Sequence, residues 1–280
     1  MLYIVTPVFN RKNFTKSYLE ALKKQTINNF KIVIIDDGSM DGTSEMITKE
    51  FPEVILLHGD GNLWWTKATN IGIKYALKCQ ATHIMTLNDD TLPEPDYIEK
   101  MMYWAKIYPF ALLGAFAINA KNLQPIYGGQ IRNYWTGKSK YLLDELEKNE
   151  MCGLKEVNVF PGRGLLMSVD ILNDIGLFDS KNFPQMVADM DFTTRAYNKG
   201  YKIFCNFDAK ILIYPDESSG IKLIREKSLN NFYDHLFSIK GAGNLIWLYK
   251  YAFKNIIFYK LPSFLFISTI ARIFGYFKQI

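Results

Sequence analysis

Four clusters of oxygen-bearing side chains are spread through the first third of the chain. They are Thr6-Pro7-Val8-Phe9-Asn10-Arg11, Asp36-Asp37-Gly38-Ser39, Gly59-Asp60-Gly61-Asn62 and Asn88-Asp89-Asp90-Thr91. Singly, each is an ordinary turn signal, because Asp, Asn and Gly favour turns for backbone reasons. Converging on one rim, they make a site. Its chemistry would be that of a divalent cation and a phosphorylated ligand: Mg²⁺ and Mn²⁺ take carboxylate and phosphate oxygens, usually one or two carboxylates plus the ligand's phosphates. Asn88-Asp89-Asp90 can supply these. Along an extended segment Asn88 and Asp90 point to one side and Asp89 to the other, so one carboxylate can bind metal while the other meets a ribose or a sugar.

Other chemistries are poorly served. The only imidazoles are His58, His83 and His235, and Cys79, Cys152 and Cys205 stand far apart with no CxxC. That argues against a zinc site or a disulfide framework and suits a reducing compartment. The first turn lacks GxGxxG, and no GxxxxGK[ST] occurs, which disfavours a dinucleotide fold and removes a P-loop.

The elements that must position these clusters read as alternating strands and helices. Leu2–Val8, Lys31–Ile35, Val54–Leu57 and His83–Leu87 are short apolar runs; Lys12–Gln25, Thr43–Glu50, Thr66–Lys78 and Pro95–Tyr108 carry helical patterns between and after them. This implies an α/β fold with a mainly parallel sheet flanked by helices, whose ligands bind at the carboxyl ends of the strands. Each cluster follows such a strand. After Phe110–Ile118 the rhythm breaks into Gly- and charge-rich stretches that can shape a cleft. A strand ending at Val159-Phe160, a Pro161-Gly162-Arg163-Gly164 loop, a short helix near Ile171–Ile175 and a helix over Ala188–Lys199 follow.

With 280 residues, 49% of them hydrophobic, the chain can bury a full core. Its formal charge of +5 is unevenly spread: residues 221–280 hold nine Lys and Arg against Glu226 and Asp234, so the rest is slightly acidic. We therefore divide the chain into an α/β domain over 1–220 and a basic, aromatic-rich helical tail over 221–280. Pro262 interrupts the tail, and Leu261–Phe277 is at the lower limit for crossing a bilayer. Aromatics mixed with Lys favour helices lying in a membrane interface; a cap on the core or a dimer contact is the alternative. Leu2-Tyr3-Ile4-Val5 is too short for a signal-peptide core, so a cytoplasmic protein peripherally attached to the inner face of the cell membrane is expected.

In order and spacing, Thr6–Arg11, Asp36-Asp37-Gly38-Ser39, Asn88-Asp89-Asp90 and Phe178-Asp179…Ala188-Asp189-Met190-Asp191-Phe192…Arg195…Gly200-Tyr201 resemble family 2 glycosyltransferases of the GT-A fold. Gly61-Asn62-Leu63-Trp64-Trp65…Asn70-Ile71-Gly72 and Gly162-Arg163-Gly164 are similar to a bacterial branch that includes rhamnosyl-, galactofuranosyl- and related surface-polysaccharide transferases. The resemblance implies an inverting transfer of sugar from a nucleotide-diphosphate donor to an acceptor hydroxyl, with Mg²⁺ or Mn²⁺ as cofactor. It also implies roles. Asp36 and Asp37 would contact base and ribose, and Thr6 and Pro7 would line the base pocket. Asp90 would bind the metal, Asp89 would support sugar or ribose, and Asp189 would be the catalytic base.

The residues permit that last role. Asp191 and Arg195 are spaced for an ion pair along one helix, leaving Asp189 free near the helix start, where the dipole favours its ionised form. A helix cap is the plainer use for it. Arg163 can meet a diphosphate or an anionic acceptor, or form a surface salt bridge; Trp64 and Trp65 can stack on a sugar or pack the core. There are two departures. Ala188 stands where relatives carry an acid, and Ile213–Glu217 lacks their metal-binding His, for which Asp216 is a possible substitute. These leave a catalytically inactive sugar-nucleotide or glycan-binding protein as the alternative. A sugar-phosphate nucleotidyltransferase is the weaker one, because Pro7–Arg11 is not a Gly-rich basic loop. The tail points to a lipid-linked glycan acceptor, and nothing in the sequence to a nucleic acid.

Overall fold

The architecture comes from a computed structural model that describes residues 1–214, 228–238, 241 and 243–278. The chain opens with β1 (Leu2–Val8), α1 (Lys12–Lys23), β2 (Phe30–Asp36), α2 (Thr43–Glu50), β3 (Ile55–His58), α3 (Trp64–Lys78) and β4 (His83–Thr86). β5 (Thr91–Pro93), α4 (Tyr97–Ile107) and β6 (Ala111–Asn119) come next. Short strands β7 (Pro125–Tyr127), β8 (Gln130–Arg132), β9 (Ser139–Tyr141) and β10 (Leu154–Val157) lead to β11 (Leu165–Ser168), α5 (Val169–Ile175), α6 (Ala188–Asn198) and β12 (Lys202–Ile213). Helices α7 (Leu229–Phe237), α8 (Leu245–Asn255) and α9 (Leu261–Lys278) close the chain.

The main sheet runs β10-β12-β6-β11-β4-β1-β2-β3, with β5 paired to β12 and β7 to β6. Its β4-β1-β2-β3 half is parallel, as is β6-β12; β11 lies antiparallel between β4 and β6, and β10 antiparallel to β12. The parallel part is what the alternating pattern requires. Both faces are covered, so side chains alternate between two cores. Tyr3, Val5, Val33 and Ile35 enter one, and Leu2, Ile4, Ile32 and Ile34 the other.

The tail helices have two contrasting faces. Trp247, Leu248, Tyr251, Ala252 and Phe264 join the core on the α3, α5 and α6 side of the sheet. Polar contacts reinforce the seam: Lys254 Nζ lies 2.7 Å from Asp179 and 2.9 Å from Asp191, and Asn255 Nδ2 donates to Asp191 at 2.9 Å. Asp191 is fully buried and also meets Arg195 Nε at 2.9 Å, so the expected intrahelical ion pair is present. The outward face keeps Ile246, Tyr249, Phe253, Phe258, Phe266, Ile270, Phe274 and Phe277 exposed. No helix among the described residues is long and apolar enough to cross a membrane.

Candidate active site

At the carboxyl ends of the parallel strands lies a cavity of about 340 Å³. It is lined by Pro7, Val8, Phe9 and Arg11 after β1, Asp37 after β2, Gly61, Trp64 and Trp65 around the start of α3, Asn88, Asp89 and Asp90 after β4, and Gln185 ahead of α6. The size suits a small-molecule ligand.

Asp37 braces the floor of this cavity. Its Oδ1 accepts from the Gly61 amide at 2.9 Å, and its Oδ2 from the amides of Leu63 at 2.9 Å and Trp64 at 3.2 Å. A carboxylate has about four acceptor sites, so one remains for a ligand. Gly59 must be glycine for the same reason, since a Cβ there would stand 2.5 Å from Asp37 Oδ1. Asp36, one residue earlier, points the other way. Its carboxylate accepts from the Ser39 amide and the Ser44 hydroxyl, and it does not line the cavity. Thr6 is likewise turned inward, bonded to Tyr18 at 2.7 Å, and leaves Pro7 on the cavity wall. Thr6 and Asp36 are thus engaged inside the fold, and their neighbours Pro7 and Asp37 are the ones that line the cavity.

Asp89 and Asp90 sit in a turn rather than an extended segment, because β4 ends at Thr86. The expected opposition of the two side chains is therefore not found. Arg11 reaches both, with Nε 3.4 Å from Asp89 and Nη1 3.8 Å from Asp90. Arg163 Nη2 lies 3.5 Å from Asp90 on another side, so its partner is a carboxylate of the cavity rather than one at the surface. Asp89 also accepts from the Thr15 hydroxyl at 3.2 Å. Burial pushes the Asp89 carboxyl up to about 6, with Arg11 and Thr15 opposing and Asp90 adding to the rise.

The donor set is one that a hard cation accepts, and Asp90 Oδ1 is buried without a hydrogen-bond partner. Among the described residues no three His, Cys, Asp or Glu side chains gather to hold a metal. The fit is thus to a cation that completes its shell with ligand oxygens, as Mg²⁺ and Mn²⁺ commonly do. Asp216 lies outside the described residues.

Asp189 approaches from α6. Its Oδ2 accepts from the Gly162 amide at 3.2 Å and its Oδ1 from the Met190 amide at 2.8 Å. Gly162 thereby joins two carboxylates, since the next residue, Arg163, reaches Asp90. The Gly162 carbonyl is pinned by the Thr86 hydroxyl at 2.6 Å, and a Cβ on Gly162 would come within 2.4 Å of the Trp65 ring. Asp189 is not in the cavity wall itself. It forms no ion pair among the described residues. Burial raises its proton affinity and outweighs the Met190 and Gly162 amides and the Arg163 charge, so the helix start does not govern its net shift.

Trp65 is committed to the fold, donating Nε1 to Asn88 at 3.1 Å and meeting Phe178 edge-on. Trp64 stands 40% exposed on the rim, with a left-handed backbone at φ 57°, free for a ligand face. Gln185 had no signal in the sequence. The role of Arg11 could have been suspected from a lone cation in the first cluster.

Residues 3–175 match glycosyl transferase family 2. The curated relatives include the uncharacterized protein MJ1222 of Methanocaldococcus jannaschii, 37% identical over 101 residues, 36% of this chain and 40% of that one. Glycosyltransferase GlyA of Streptococcus pneumoniae is 31% identical over 101 residues, 35% of this chain and 14% of that one. The chain thus spans less than half the length of either. In fold it is similar to residues 1–349 of TarS from S. aureus in complex with UDP-GlcNAc, with a TM-score of 0.63 and 13% identity, covering 98% of this chain and 73% of that one. GalNAc-T7 with UDP, GalNAc and Mn²⁺ gives a TM-score of 0.62 at 14% identity over 84% and 48% of the two chains. At such identities the likeness is one of fold alone. The sequence match runs from β1 into α5 and takes in the clusters that line the cavity, and the chain belongs to glycosyl transferase family 2.

Proposed function

We propose that the protein transfers a sugar from a nucleotide diphosphate to an acceptor hydroxyl with inversion at the anomeric carbon. One observation carries this. Asp37, Asp89, Asp90 and Arg11, drawn from separate parts of the chain, line one cavity, and the Gly162-Arg163 loop ties Asp90 to Asp189. TarS and GalNAc-T7, which share the fold, are described with UDP-GlcNAc and with UDP, GalNAc and Mn²⁺ respectively. UDP-sugars are therefore the first donors to test.

In this account Asp37 and Pro7 receive the nucleoside, and Arg11 and Arg163 face the diphosphate. Asp90, with Asp89 beside it, would hold a Mg²⁺ or Mn²⁺ ion, which when bound neutralises charge on the diphosphate. Asp189 takes the proton from the acceptor hydroxyl as the hydroxyl oxygen attacks the anomeric carbon and the bond from that carbon to the diphosphate breaks, releasing the nucleoside diphosphate. The raised proton affinity of Asp189 makes it a better base than a solvated aspartate. Trp64 offers the acceptor a stacking surface.

The basic tail with its exposed aromatic face supports attachment to the inner, anionic face of a membrane and a lipid-linked glycan acceptor there. Residues 1–220 then carry the donor chemistry and 221–280 the attachment.

The test is thermal stabilisation and donor turnover across a panel of nucleotide sugars, each with and without Mn²⁺. A transferase stabilises with one donor and turns it over. Binding without turnover would favour a glycan- or nucleotide-binding protein, and release of pyrophosphate from a sugar phosphate and a nucleoside triphosphate would favour a nucleotidyltransferase.

A further inference from the structure

A second cavity lies under α6, away from the one lined by the acidic clusters. Arg132 from β8 and Arg272 from α9 line it, together with Ser268, Val187, Met190 and Tyr251. Two guanidinium groups share this space without a counter-charge. The chain's other described arginines, Arg11, Arg163 and Arg195, each stand beside a carboxylate. Arg132 instead gives Nε to the Ser139 hydroxyl at 3.0 Å and Nη1 to the Met190 sulfur, both neutral acceptors. Arg272 Nε and Ser268 Oγ are buried with no hydrogen-bond partner, and Ser268 is only 6% exposed. Burial and repulsion from Arg132 lower the Arg272 pKa to about 10.

Buried donors without acceptors, and buried cations without anions, are costly. A carboxylate would be the usual remedy, and none is paired with either arginine among the described residues. The cavity has room of about 20 Å³, and a site needs roughly 10–15 Å³ to hold one water-sized particle. The space therefore admits one small ligand, and the donors facing it ask for a negative one.

We propose that this cavity binds a single halide ion, held by Arg132, Arg272 and the Ser268 hydroxyl. The site joins four parts of the fold: the β8–β9 hairpin, α6, α8 and α9. Val187 and Met190, which line it, bracket Asp189 in sequence, and Val187 holds a left-handed backbone at φ 72°, an unfavourable conformation for a β-branched residue. An anion would brace that turn. The proposal does not depend on what fills the larger cavity.

The experiment is thermal unfolding of the full chain titrated with sodium bromide, sodium phosphate or sodium gluconate at matched ionic strength, together with bromide-soaked crystals. Bromide is expected to raise the melting temperature saturably by a few degrees at millimolar concentration, with phosphate and gluconate, too large for the cavity, giving no saturable rise. Arg272→Gln should abolish the saturable component. Ser268→Ala, which removes only a hydroxyl and keeps the fold safe, should raise the half-saturating concentration several-fold. A bromide anomalous peak between the two guanidinium groups would locate the ion. Equal responses to all three salts, or responses unchanged in Ser268→Ala with no peak between the arginines, would overturn the proposal.

Discussion

A carboxylate that accepts a proton during a reaction benefits from a raised proton affinity, and burial gives Asp189 that property. Activity should therefore rise with pH as Asp189 ionises, with an acid-limb midpoint above the 3.8 of an unperturbed aspartate; a pH profile of kcat/KM checks this. Asp89 offers a second handle. Its folded pKa, about 6 against 3.8, means the folded state holds its proton more tightly. Its contribution to stability is thus full below pH 4 and is lost as pH rises through 6. For metal-free protein, wild type should lose about 3 kcal/mol relative to Asp89→Asn across that window, measurable by urea unfolding at pH 4 and pH 7.5. At this scale the acidic clusters were legible because their residue types restrict their chemistry. The inward turn of Thr6 and Asp36, the bridging of Asp89 and Asp90 by Arg11, and the arrival of Gln185 at the cavity wall depend on contacts between distant segments.

Among the elements, the seam between α6 and α8 is the one that bears on the surroundings of Asp189. Lys254 joins Arg195 and Asn255 in satisfying the buried Asp191, two residues from Asp189. Removing one partner of a buried charge is costly, commonly 3–5 kcal/mol. Because Arg195 remains, Lys254→Met should cost roughly 2 kcal/mol at pH 7, read by denaturant titration. The first half of the fold could be read from local pattern, since β1 to β4 are apolar runs separated by amphipathic helices. The placement of β11 antiparallel between β4 and β6 could not: a four-residue strand carries no local mark of its distant partners. The charge pattern did indicate the Asp191–Arg195 pair, because i,i+4 spacing is local.

For the molecule as a whole, the tail is where composition and structure meet. Its inner face is absorbed into the core while Phe253 and Phe258 remain 67% and 82% exposed. If the outer face lies on a bilayer, Phe253→Ser and Phe258→Ser should each weaken sedimentation with anionic vesicles roughly tenfold, from the apolar burial lost. Unaltered vesicle binding, or concentration-dependent dimerisation abolished by the same changes, would assign that face to a second copy.

In the proposed mechanism Asp189 acts on the acceptor while Asp37, Asp89 and Asp90 serve the donor. Asp189→Asn keeps the shape and hydrogen-bonding reach of the side chain but cannot take a proton. Calorimetric binding of the donor sugar nucleotide and single-turnover transfer, measured on the same preparation, test the division directly. Donor affinity is expected within about twofold of wild type, with transfer slowed by roughly 10²-fold or more. Transfer within a few-fold of wild type, or loss of donor binding, would contradict it.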